Sequence, residues 1–181
     1  QLSKSTYQSS NLCLAFEDTS QVIIMLGKST IPYRHKDDLL LRLLSCHLGS
    51  GMSSKLFIKL REEHGVAYDV GIHHPVRELK APFLLHASTS KEKAYLTLKL
   101  LKECWRSITD RPLSDDELSL AKAKFRGQLA HNSQTVSQLA ERKAHLLGIG
   151  MKHDYDISSL VKIESITTRE LYEVAARHLQ T

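Results

Sequence analysis

The chain has 181 residues, 41% of them hydrophobic and a quarter charged, with a formal net charge of +5. That is enough for one sizeable core and short for two, and no apolar run approaches the ~20 residues needed to cross a bilayer. Lysine and arginine are interspersed with aspartate and glutamate rather than gathered in a block, which argues against a nucleic-acid partner. Gln1–Asn11 is polar and lacks the apolar segment of a secretion signal. The compartment stays open between bacterial cytoplasm, periplasm and an organelle. Because it opens on Gln, the chain reads as a segment of something longer. Cys13, Cys46 and Cys104 show no C-x-x-C spacing and read as inert thiols, not as a disulfide framework or a zinc site.

Leu12–Glu17 alternates, with Leu12, Leu14 and Phe16 on one side, and reads as a half-exposed strand. After a turn at Asp18–Ser20, Val22–Leu26 is apolar on both sides, the pattern of a central strand. Gly27–Pro32 is a break. Lys36–Leu48 then places Leu39, Leu40, Leu43 and Leu44 on one helical face. Next comes LGSGMSSKLFIKLREEHGVAYDVG, residues 48–71, around which the chain is organised. Gly49 and Gly51 flank Ser50, so the backbone there is free to turn left-handed or to pass close to a neighbour. Ser53 or Ser54 can cap a short helix carrying Leu56, Phe57 and Leu60 inward, and Gly65 ends it. From Val66 the period becomes two. Val66, Tyr68, Val70 and Ile72 share one side of a strand; Ala67, Asp69, Gly71 and His73 share the other. Arg61 on the last helical turn and Tyr68 early on the strand then flank one chain reversal and can face one space.

His73–Lys80 reads as a turn or long hairpin connection, and Phe83–Ser88 as the second strand of the pair. Ser90 can cap a helix with Ala94, Leu98, Leu101, Trp105 and Ile108 inward. Ser114–Glu117, Thr135–Gln138 and Thr167–Glu170 are capping boxes opening three further helices. Asp156 caps a shorter one between the last two. The order predicts a single α+β domain over 1–181, two-layered, with a mostly antiparallel sheet and helices packed on one face.

Ten histidines raise the question of metal, but H-E-x-x-H and H-x-x-E-H are both absent. His73 and His74 are adjacent on a strand and point apart. His131, His145, His153 and His178 have no ligand-type partner one helical turn away, so no metal site is expected. Nucleophile-elbow and dinucleotide fingerprints are missing too.

Gly51-Met-Ser-Ser-Lys-Leu-Phe57 followed by Leu60-Arg-Glu-Glu-His-Gly-Val-Ala-Tyr68 resembles the pitrilysin/insulinase family of zinc peptidases. This family includes the mitochondrial processing peptidase, and its run at this place looks like GMSSRLFxxLREKxGLAYSV. The likeness extends in pattern through Ser88–Ser90, Leu113–Leu129 and Ile163–Leu179. Departures are Lys55 for Arg, His64 and Asp69. The resemblance implies half-domains of this α+β type and a C-terminal domain lacking the zinc motif. Zinc is then expected in an N-terminal H-x-x-E-H domain, in cis or in a second family subunit of a dimeric parent. It further implies that Tyr68 and Arg61 reach a peptide substrate held at that zinc, with Gly49, Ser50 and Gly51 lining the chamber. The segment alone is expected to be inactive. The plainer readings stay beside this one: a core tyrosine with a satisfied hydroxyl, an arginine complementing its helix dipole, and a non-catalytic scaffold or peptide-binding subunit.

Overall fold

The computed structural model describes residues 7–9 and 12–14, through their backbone, and residues 20–180. β1 (Tyr7–Ser9) and β2 (Leu12–Leu14) form a short antiparallel pair. The expected strand Leu12–Glu17 is thus seen over Leu12–Leu14; the rest of it lies outside the described residues, as does the Cys13 side chain. The main sheet has three antiparallel strands, β3 (Gln21–Ser29), β4 (Asp69–His73) and β5 (Pro82–Ser90), in the order β3-β5-β4.

The register explains which faces are buried. Ile24 lies opposite Ala87 and Leu26 opposite Leu85; on the other side Val70 pairs with Ala87 and Ile72 with Leu85. Phe83, Leu85 and Ala87 are fully buried at the centre of this inner face. Val22–Leu26 is therefore not the central strand that its continuous apolarity suggested. It is an edge strand, and Ile23 and Met25 are 65% and 63% exposed on the outer face. The centre belongs to β5, whose polar alternation disguises it.

All the helices that touch this sheet lie against its inner face. α1 (Asp38–Gly49) lies under β4 and α3 (Ala94–Thr109) under β3 and β5, while α7 (Thr168–Leu179) fills the angle between them. Trp105 meets Phe83 edge to face at 5.9 Å and donates its indole N–H to Leu179 O at 3.1 Å. α4 (Asp115–His131) packs on α1, α6 (Tyr155–Ser165) on α4, and α5 (Val136–Gly148) lies between them in sequence. This is the expected α+β arrangement.

All three capping boxes are present with both reciprocal bonds. Two other starts differ. The helix expected from Ser90 begins at Ala94, because Ser90 is still paired in β5 and a turn intervenes. Asp156 does not cap α6; it lies inside the first turn, and both of its oxygens take the Arg142 guanidinium. Along α5, Leu139 and Leu147 are 40% and 60% exposed, leaving Leu146 as its buried residue.

Candidate functional site

α1 ends at Gly49, which passes so close to β4 that a Cβ there would lie 2.4 Å from Ile72 Cγ2. The Ser50 N–H closes the helix on Cys46 O at 3.2 Å, and the Ser50 hydroxyl accepts from the Gln128 amide. Gly51 then takes φ +71°, which only glycine adopts at no steric cost. Of the two serines that could cap the next helix, Ser54 does so, accepting from the Phe57 N–H at 3.3 Å.

That helix, α2, is α only over Lys55–Phe57; Ile58–Glu63 continues it as a π-helical turn. Leu56 and Leu60 are fully buried along this segment, while Arg61 and its acidic neighbours face solvent. The Arg61 guanidinium lies over the Phe57 ring, 4.9 Å from its centroid. This contact holds the cation in place without engaging its hydrogen-bond donors.

Gly65 ends the turn at φ +56°, and the Val66 N–H reaches back to Leu60 O at 2.8 Å. Val66 O accepts from Thr89 Oγ1 at 2.5 Å, and Thr89 Oγ1 in turn accepts from Thr97. Val66–Tyr68 is thus an extended lead-in, not the start of the strand, and alternation does not decide what it buries. Val66 and Ala67 are both buried, whereas Tyr68 is 62% exposed. Its backbone is pinned by N–H donation to Ser88 O at 2.8 Å, and its hydroxyl has no partner among the described residues. The reading of Tyr68 as a core tyrosine is overturned by this exposure.

Beyond Tyr68 the outer sheet face carries Asp69, Gly71 and His73 opposite Ser88, His86 and Leu84. Gly71 leaves room for the His86 ring, whose Nε2 would lie 2.6 Å from a Cβ at that position. The site residues thus lie along one continuous reversal: the Gly49–Gly51 loop, Arg61 on the π turn, and Tyr68 at the mouth of β4.

Sequence spacing could not show one further group. His35, Asp37 and His178 offer ligand atoms within 4.8 Å of one another, the sole such trio among the described residues. Asp37 Oδ2 already takes Arg177 at 2.5 Å and His178 at 2.8 Å, and these bonds, against burial, hold its carboxyl below the usual range. A guanidinium in the position a cation would need does not fit a zinc centre. The trio instead ties the end of α7 to the start of α1. Cys46 and Cys104 are buried thiols pushed up to about 11 by desolvation.

The family model for the peptidase M16 inactive domain matches residues 4–125. The chain belongs to this family. An uncharacterized zinc protease of Rickettsia felis is 32% identical over 126 residues, covering 69% of this chain and 30% of the relative. One from Mycobacterium bovis is 28% identical over 175 residues, covering 94% and 39%. The crystal structure of an M16 inactive domain from Pseudomonas fluorescens superposes with a TM-score of 0.79 at 21% identity, over 89% of this chain and 38% of that one. The chain therefore spans about a third of the length of each of these three relatives. The zinc-peptidase resemblance carried by Gly51–Tyr68 is borne out at the level of the family. Among the described residues of the M16 domain, no helix is long and apolar enough to cross a membrane.

Proposed function

We propose that this M16 domain is the C-terminal, peptide-clamping domain of a longer zinc metalloendopeptidase subunit. In this reading zinc is held by an H-x-x-E-H domain in cis or in a partner subunit and supplies the Lewis acid of the assembled site. Tyr68 donates its hydroxyl to the peptide carbonyl oxygen as negative charge develops there. Arg61 offers its planar fork to a second peptide carbonyl or a carboxylate, and Gly49, Ser50 and Gly51 border the peptide. The observation that carries the reading is the exposure of Tyr68. A phenol flanked by two buried residues is turned outward on a pinned backbone, with its hydroxyl uncommitted.

The test is peptide hydrolysis by the zinc-loaded parent assembly. Tyr68→Phe removes one oxyanion donor and is expected to lower kcat by about 10²–10³; Arg61→Ala is expected to act mainly on KM. Unchanged turnover in both variants would remove the proposal. The family's description as inactive favours a second reading, a non-catalytic scaffold or peptide-holding subunit. It would be preferred if both variants still bound peptide and left turnover intact.

A further inference from the structure

Gly65–Tyr68 links the π turn that carries Arg61 to the first paired residue of β4 and belongs to neither element. No regular ladder fixes it, yet its backbone groups are held one by one. Lys93 Nζ donates to Gly65 O at 2.9 Å, and the Val66 N–H donates to Leu60 O at 2.8 Å. Thr89 Oγ1 donates to Val66 O at 2.5 Å, and the Tyr68 N–H to Ser88 O at 2.8 Å. Three of the four partners, Ser88, Thr89 and Lys93, come from the stretch where β5 runs into α3.

The bond from Thr89 is the most enclosed of these. Thr89 and Thr97 are both 0% exposed, so neither can touch a peptide. Val66 O can only accept, so the proton between it and Thr89 Oγ1 comes from Thr89. Thr97 Oγ1 lies 3.1 Å behind Thr89 Oγ1 and 2.9 Å from Lys93 O, and it donates towards both. It therefore takes no proton from Thr89. Burial removes water as a competing acceptor, and β-branching limits χ1, so the Thr89 hydroxyl is held in one direction.

We propose that Thr89, with Lys93 on the exposed side, is a positioning residue for Tyr68; this rests on the reading that the Tyr68 phenol meets the peptide. The two side chains fix the carbonyls of Val66 and Gly65, and with them the path by which the chain enters Tyr68, before any peptide arrives. A phenol on a loose link has to be ordered at every turnover, whereas here the backbone part of that ordering is done in advance. The phenol's bond strengthens as charge develops on the peptide oxygen, so misplacing it lowers kcat and leaves KM alone.

Amide hydrogen exchange on this chain reads the link without zinc or peptide. Thr89→Val keeps the side-chain shape and removes the hydroxyl. It is expected to speed exchange of the Tyr68 N–H about tenfold, the scale of one hydrogen bond. The Thr30 N–H, bonded to Ala81 O at the other end of β5, is expected to keep its rate. Thr89→Ser restores the hydroxyl and is expected to restore the Tyr68 rate. In the zinc-loaded parent assembly, Thr89→Val is expected to lower kcat about tenfold at unchanged KM, with no further loss in a Tyr68→Phe background. Lys93→Met removes only an exposed contact and is expected to move both readouts in the same direction. Should Thr89→Val not fold, a Lys93→Met variant without effect on either readout overturns the proposal. So do an unchanged Tyr68 exchange rate, equal acceleration at Tyr68 and Thr30, or a kcat loss that persists in the Tyr68→Phe background. Turnover insensitive to Tyr68→Phe itself removes the underlying reading, and the proposal with it.

Discussion

His47 lies on the last turn of α1, 6% exposed, and its Nε2 is buried without a hydrogen-bond partner among the described residues. Desolvation disfavours the imidazolium. Lys55, Lys124 and Arg111 oppose it as well, and Glu117 compensates only in part, so its pKa falls from 6.5 to about 4. The folded value is depressed. Above pH 6.5 the ring is neutral in both the folded and unfolded chain, and pH has no leverage through it. Between pH 6.5 and about 4 the unfolded chain takes up a proton that the folded chain refuses, so stability falls as the solution is acidified. At about 1.4 kcal/mol per pH unit the full window is worth about 3 kcal/mol, a large part of the 5–15 kcal/mol typical of a domain. Urea unfolding followed by circular dichroism at pH 7, 5.5 and 4 reads this directly, with His47→Leu as the reference that cannot titrate. The wild type is expected to lose about 3 kcal/mol relative to the variant between pH 7 and 4. A relative loss under about 1 kcal/mol, or a relative gain, would refute the reasoning.

Glu117 responds in the next window down. Its hydrogen bond to Arg111, with help from the Ser114 N–H, holds its carboxyl near 2, so this contribution is complete above pH 4.5 and lost as pH falls through 2. Glu117→Gln keeps the cap and loses the charge; it is expected to cost about 1 kcal/mol at pH 7, the ion pair being half exposed, and only a small part of that at pH 2, by the same unfolding assay. Gly65→Ala meets no atom within 4 Å but sits at φ +56°, so it is expected to cost about 1 kcal/mol from the backbone alone. Gly49→Ala drives a methyl into Ile72 and is expected to cost about 1–3 kcal/mol. A Gly49→Ala melting temperature equal to that of the wild type would contradict the close packing of α1 on β4.

What the sequence made legible follows from how local the causes are. Capping boxes are closed within four residues, so Ser114, Thr135 and Thr167 could be read directly and are found with both bonds made. Gly65 belongs to the same class, since one backbone angle determines it. Sheet order is not local. Val22–Leu26 looks central because both of its faces are apolar, yet only the pairing with β5 shows that one of those faces is open. Tyr68 is ambiguous for the same reason: alternation counted from Val66 leaves a core position open beside an outward one, and only the start of regular pairing at Asp69 decides for the outward one. The π turn at Ile58–Glu63 has no pattern of its own, because Leu56 and Leu60 satisfy ordinary helical spacing. His35, Asp37 and His178 are joined only when α7 docks beside the start of α1, a contact spanning 141 residues between Asp37 and His178. The cavity between α1, α4, α5, α6 and the turn after β4 is of the same kind.

The central claim is that the Tyr68 phenol touches a peptide substrate when a zinc-bearing domain closes over it. A photoreactive benzoylphenylalanine at position 68 of the parent assembly, stripped of zinc so that peptide binds without being cut, reads this contact directly. The account predicts a covalent adduct to the peptide that excess unlabelled peptide suppresses, and none from the same probe at Val161, an exposed residue on α6. Equal labelling from both positions, or no peptide adduct from position 68 while peptide is bound, would contradict it.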